Sequence, residues 1–197
     1  MRIATILLAA GRSTGFGVAD NLSAPLGSLP LGRHAAHTLM ALSLDLRFVV
    51  TGPTMMEWPG FCRVNNEAPE RGLSHSIALG VAAACHAGAT AVLIALADMP
   101  FVSHGHFAAL IEHHMCGSSM AVSSDGWRRM PPAKFSACHF AVLCSLSGDR
   151  GARHLLSEDT PVLAAQGELI DINTPEEWER AARELQTIAS LGSHRSQ

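Results

Sequence analysis

Residues 2–17 read RIATILLAAGRSTGFG, and how they are taken decides the fold. An apolar run through residue 8 enters a turn of small residues without a polar break. One basic residue followed by an apolar stretch superficially matches a secretory leader, but the run ends directly in a glycine-rich turn. A first strand buried on both faces explains both parts. Gly11 lets the backbone come close to a ligand, and successive amides in such a turn form an anion-binding nest. Taken alone, the stretch reads first as a plain strand-to-helix turn, because glycine is common in turns, so the rest of the chain has to decide.

Further apolar runs follow at 46–51, 61–65, 91–96, 119–123 and 168–172, each read as a strand. Helical patterns lie between or after them, at 33–43, 75–87, 104–115, 150–157 and 175–191. Thr174, Pro175 and Glu177 open the last helix as a cap, a first-turn proline and a capping-box partner. Continuous apolar strands alternating with helices predict an α/β fold: a mostly parallel sheet with helices on both faces. The chain is read as one domain over residues 1–192, with 193–197 as a disordered tail. At 197 residues it can bury a core that needs no disulfide or structural metal.

Composition narrows the function class. With 48% hydrophobic residues and no apolar run near membrane-spanning length, the sequence predicts a soluble, cytoplasmic protein. A net charge of -3 offers no basic face for nucleic acid. Five cysteines without a CxxC pair read as small buried hydrophobes in a reducing compartment. His104, His106, His113 and His114 crowd one segment with Cys116, but their spacing suits a solvated helix face better than a closed zinc site. Trp58, Trp127 and Trp178 stand apart from one another and read as packing residues. Lys134 is the only lysine.

In an open parallel sheet the ligand lies beyond the carboxyl ends of the strands. Polar residues collect at those positions here. The first run is followed by Ala9, Ala10, Gly11, Arg12 and Ser13, the third by a stretch ending ERGLSHS, the fourth by Ala97, Asp98, Met99 and Pro100, and the last closes on Asp171, Ile172 and Asn173. Asp98, at a strand end before a proline, is a candidate Mg²⁺ ligand, because magnesium takes few carboxylates and completes its shell with phosphate oxygens and water. By itself it is equally a turn or cap residue. Ser74 and Ser76 can cap a helix or bond a ligand.

Together LLAAGRSTGFG, GLSHS, LADMP, GDRGAR and DINTPEE resemble the MobA-like nucleotidyltransferases, in the family's order and over nearly the whole chain. The nearest likeness is to the molybdenum cofactor cytidylyltransferase branch, which joins CTP to the phosphate of molybdopterin and releases pyrophosphate. The resemblance implies a Rossmann-like domain of the nucleotide-diphospho-sugar transferase type. It implies nucleotide contacts from Leu8, Ala9, Ala10, Gly11, Ser13, Gly72, Ser74 and Ser76, with Arg12 and Asp98 as catalytic residues. It further implies Mg²⁺ on Asp98 with Asp171 and Asn173 near it, and a phosphorylated pterin acceptor against Asp149, Gly151 and Arg153. Arg153 can also simply pair with Asp149 across one helical turn. Ala10, where guanylyl relatives carry glycine, narrows the base site toward a pyrimidine, so CTP is favoured over GTP.

Two positions depart from the family pattern: Gly15 stands where an arginine is expected and Asn21 where a lysine is expected. Losing one preorganised donor to the phosphates typically costs about 10² to 10³ in rate. Two such losses, if additive, would cost ~10⁴ to 10⁶. Arg33 and Arg71, close in sequence to the ligand loops, are candidates to compensate in part. The alternatives to transfer from CTP are transfer from GTP or to another phosphate acceptor, and a nucleotide-binding domain that has lost catalysis and serves as a partner module.

Overall fold

The computed structural model describes residues 1–11, 21–53, 56–113, 120–148, 152, 155 and 161–193, the last six of these by backbone alone. Strand β1 (Ile3–Ala9) is buried along its whole length, between the parallel neighbours β4 (Leu46–Thr51) and β6 (Ala91–Leu96). Leu7 lies opposite Val49 on one side and Ala95 on the other. A strand so placed meets a covered face above and below, which is why its sequence is apolar without alternation. Ile3, Leu7 and Ala9 pack with α1 (Leu31–Met40) and α3 (His104–Glu112). Ala4, Ile6 and Leu8 pack on the other face with α2 (Leu73–His86) and α4 (Phe140–Ser145).

Seven described strands form one sheet in the order β5-β4-β1-β6-β8-β7-β9, with β5 (Cys62–Asn65), β7 (Met120–Ser124), β8 (Arg129–Ser136) and β9 (Val162–Leu163). Among them only β8 runs antiparallel to its neighbours. A small pair, β2 (Pro25–Leu26) and β3 (Leu29–Pro30), precedes α1, and α5 (Pro175–Ser193) closes the chain. From β1 the chain moves outward through β4 and β5, then returns over α2 to β6 on the opposite side of β1. That reversal opens a crevice at the carboxyl ends of β1 and β6. Helix α2 lies close on β1 because Gly80 has no side chain: a Cβ there would collide with Ile6 Cγ2 and stand 3.1 Å from Val50 Cγ2.

Several expectations need correction. Residues 168–172 form a turn and a loop, tied to the sheet end by one backbone bond from Ile172 N–H to Asp98 O at 2.9 Å. Strand β8 was hidden by Pro131 and Pro132, which ordinarily argue against an inner strand. They are tolerated because the β7 register shifts between Val122 and Ser123, which pair with Ala133 and Met130, and the prolines fall in the bulge. Cys62, Cys85, Cys138 and Cys144 are exposed rather than buried, and Cys116 lies outside the described residues. Trp58 is buried, but Trp127 is 94% exposed at the β7–β8 turn and does not pack into the core. His106 is buried, unlike His104 on the same helix.

Candidate functional site

At the reversal lies a crevice of about 480 Å³. Leu8, Ala10 and Gly11 line it from the end of β1, Leu96 and Asp98 from the end of β6, Gly72 and Ser76 from the start of α2, and Asn173 from the loop before α5. The structure thus brings together seven of the residues assigned to the site from the sequence, and Asn21 lines the crevice with them. Ala9 is not among them, because strand alternation turns it into the opposite core. Arg12, Ser13, Gly15, Asp149, Gly151 and Arg153 lie outside the described residues.

Gly11 is exposed, and a Cβ added to it would meet nothing within 4 Å, so a side chain there would stand in open space beside the crevice it lines. Gly72 has φ +87°, a left-handed conformation that glycine alone adopts without strain. It ends the 3₁₀ turn Pro69–Arg71 and starts α2 in a single step. Ser74 falls in the first turn of α2, 1% exposed, with no hydrogen-bond partner for its hydroxyl.

Electrostatically the centre of the site is Asp98. Its Oδ1 is buried without a partner. Burial, and secondly the charge of Asp171, push its carboxyl up to about 7, against the pull of a backbone amide. A buried carboxylate next to a second carboxylate carries an uncompensated desolvation cost that a divalent cation would relieve. Asp171 Oδ2 accepts a 2.9 Å bond from Asn173 Nδ2. Two carboxylates and a carboxamide suit magnesium, which keeps several waters and takes phosphate oxygens. Among the described residues no group of three or more His, Cys, Asp or Glu could hold a metal by itself.

The loop carrying Asp171 and Asn173 is braced from both ends. Glu177 accepts from the N–H groups of Asn173 (2.8 Å) and Thr174 (3.0 Å), while Thr174 Oγ1 accepts from Glu177 N–H at 3.2 Å. This is the capping box the sequence predicts. From the other side Asn21, 5% exposed, donates from Nδ2 to Ile172 O at 2.9 Å. The position expected to carry a lysine therefore acts as a strut for the acidic loop.

No arginine or lysine is found among the described residues lining the crevice. Lys134 is fully buried, with Nζ donating to Ile111 O at 2.7 Å and His113 O at 3.0 Å. It closes the carbonyl end of α3, and burial holds its ammonium below the usual lysine range. Arg33 Nη1 donates to Glu57 O at 2.9 Å. Arg71 is exposed between the lining residues Glu70 and Gly72. Pro69 lines the crevice from outside every stretch singled out in the sequence, and Glu70 lines it as the first residue of ERGLSHS, where no role had been given to it.

Outside the crevice, Glu168, His106 and Ser123 align like a nucleophilic triad, with distances of 4.0 and 2.7 Å. Ser123 is fully buried and spends its proton on Pro132 O at 2.6 Å. His106 Nε2 must therefore donate to Ser123, and the group serves to hold α3 against β7 and β8.

Among the described residues no helix is long and apolar enough to cross a membrane. The family model of the MobA-like NTP transferase domain matches residues 5–163. The purine catabolism protein PucB of Bacillus subtilis is 35% identical over 200 residues, covering 91% of this chain and 96% of that one. Rv0371c from Mycobacterium tuberculosis H37Rv superposes with a TM-score of 0.81 at 22% identity, covering 93% of this chain and 98% of the other. A nucleotidyl transferase from Methanothermobacter thermautotroptrophicus, Mth528, gives 0.80 at 23%, covering 94% and 99%. At those identities the two structures speak for the fold.

Proposed function

The chain belongs to the MobA-like NTP transferase family, and on that premise we propose that it transfers CMP from CTP to the phosphate of molybdopterin, with Mg²⁺ as cofactor and pyrophosphate as product. One observation carries this reading: a buried, unpartnered carboxylate oxygen on Asp98, beside Asp171, in the lining of a crevice that the end of β1 also lines. Asp98 would hold the metal, with Asp171 and Asn173 at its outer side. Mg²⁺, when bound, would neutralise the phosphate oxygens. The backbone at Ala10 and Gly11 would take the triphosphate, and Gly72, Ser74 and Ser76 the base and ribose. Ala10 supports CTP over GTP, because its methyl occupies room on the crevice wall. No side-chain nucleophile is required, since the acceptor phosphate attacks the α-phosphorus in line. The name of the Bacillus relative suggests purine catabolism as the setting.

A second reading is favoured by a specific observation. The described lining supplies no cation, Asn21 is engaged with Ile172, and the only lysine caps a helix. A domain that binds nucleotide without transferring it would have this appearance. Incubation with each NTP, Mg²⁺ and molybdopterin, assayed for pyrophosphate, separates the two. Pyrophosphate release dependent on CTP and acceptor supports transfer. Thermal stabilisation by nucleotide without product supports the binder, and neither response defeats both.

A further inference from the structure

Asn66 stands just after β5, 3% exposed, and its side chain is held at both ends. Its Oδ1 accepts the N–H of Ala68 at 2.9 Å, and its Nδ2 lies 3.0 Å from Ser76 Oγ. The Ala68 amide can only donate, so the oxygen of the carboxamide must face it, and the NH₂ must face the serine. Ser76 Oγ is therefore an acceptor in this bond. Its own proton has no acceptor among the described residues, while the serine lines the crevice.

We infer that Asn66 is a positioning residue that occupies one lone pair of Ser76 Oγ and leaves the serine proton free to be donated into the crevice, where the bound nucleotide presents an acceptor atom. The inference rests on the nucleotide-binding reading of this crevice and specifies it: the α2 wall is polarised from behind by a residue that does not line the crevice. The backbone supports the arrangement, because Asn66 N–H donates to Thr51 O at 2.8 Å and anchors the turn to the end of β4. A hydroxyl free to rotate could meet a donor or an acceptor. Here one lone pair is taken by Asn66 while the proton is unspent, so donation to a ligand acceptor is the arrangement the contact favours.

The test is Asn66→Asp, which keeps the shape and the bond from Ala68 but replaces the donor facing Ser76 with an acceptor. Ser76 then turns its proton back onto the new carboxylate. Affinity for Mg²⁺–CTP, measured by calorimetry, is expected to fall about 10- to 100-fold, as befits a ligand acceptor left facing no donor. Ser76→Ala is expected to lose a similar factor. The double variant should bind no more weakly than Ser76→Ala alone, because the polarity of residue 66 matters only through the serine. The melting temperature of each variant, taken without ligand, controls for folding. Wild-type affinity in Asn66→Asp overturns the inference, as do losses that multiply in the double variant, which would mark a simple charge effect. An unaltered protein that binds no nucleotide overturns this inference together with the reading beneath it.

Discussion

Asp98 is held in a state the fold alone does not favour. Its carboxyl titrates near 7 in the folded protein, against 3.8 for an ordinary aspartate, so the folded state binds the proton more tightly than the unfolded chain. Stability attributable to this group is greatest at low pH and declines as pH rises between about 4 and 7, then levels off. Asp98→Asn removes the ionisation. In chelator, the variant is expected to be more stable than the unaltered protein at pH 8 and to lose that advantage toward pH 4, as measured by urea unfolding. Mn²⁺ affinity, read by electron paramagnetic resonance, should fall by at least about tenfold in the same variant, in line with the loss of a ligating carboxylate. Lower stability of Asp98→Asn at pH 8, with Mn²⁺ affinity unchanged, would show that Asp98 is only a turn residue.

At the scale of elements, two glycines separate packing from ligand space. Gly80→Val drives a side chain of α2 into Ile6 and Val50 and is expected to cost about 1–3 kcal/mol in chemical denaturation. Gly11→Ala meets no atom within 4 Å and should leave stability within about 0.5 kcal/mol, yet weaken nucleotide binding. The elements most legible in the sequence were those with a single local cause. β1 and β6 are apolar because both faces are covered, and α5 announces itself through Thr174 and Glu177. β8 was illegible because the bulge that accommodates Pro131 and Pro132 depends on its partner strand. Of the site, Asp98, Gly72 and Ser76 could be found because strand ends and helix starts are readable. The roles of Asn21 and Asn66 could not, since each is defined by a contact, with Ile172 or with Ser76, that only the assembled fold creates.

For the molecule as a whole, the crevice draws its lining from both faces of the sheet, Leu8 and Ala10 from one core and Leu22 from the other, and the α3 face carries a supporting contact besides. That contact is His106, buried between α3 and β7, with Ser123 at Nε2 and Glu168 4.0 Å from Nδ1. Burial holds this imidazole below its ordinary value of 6.5, and the Glu168 charge opposes that shift only in part. The unfolded chain takes the proton more readily, so the contribution is complete above pH 6.5 and is lost as pH falls below it. Unfolding measured from pH 8 to 5 should show a decline below about 6.5 that His106→Gln flattens, with lower stability at pH 8 from the altered bond to Ser123. An identical acid profile in that variant would assign the decline to other groups. The central claim concerns the crevice: the end of β1 and the Asp98 carboxylate together receive a metal-loaded nucleoside triphosphate. Its most direct test is a crystal structure grown with CTP and Mg²⁺. The account predicts triphosphate against Ala10 and Gly11, with Mg²⁺ at about 2.0–2.1 Å from an Asp98 carboxylate oxygen. Nucleotide bound elsewhere, or a metal that leaves Asp98 without a partner, would contradict it.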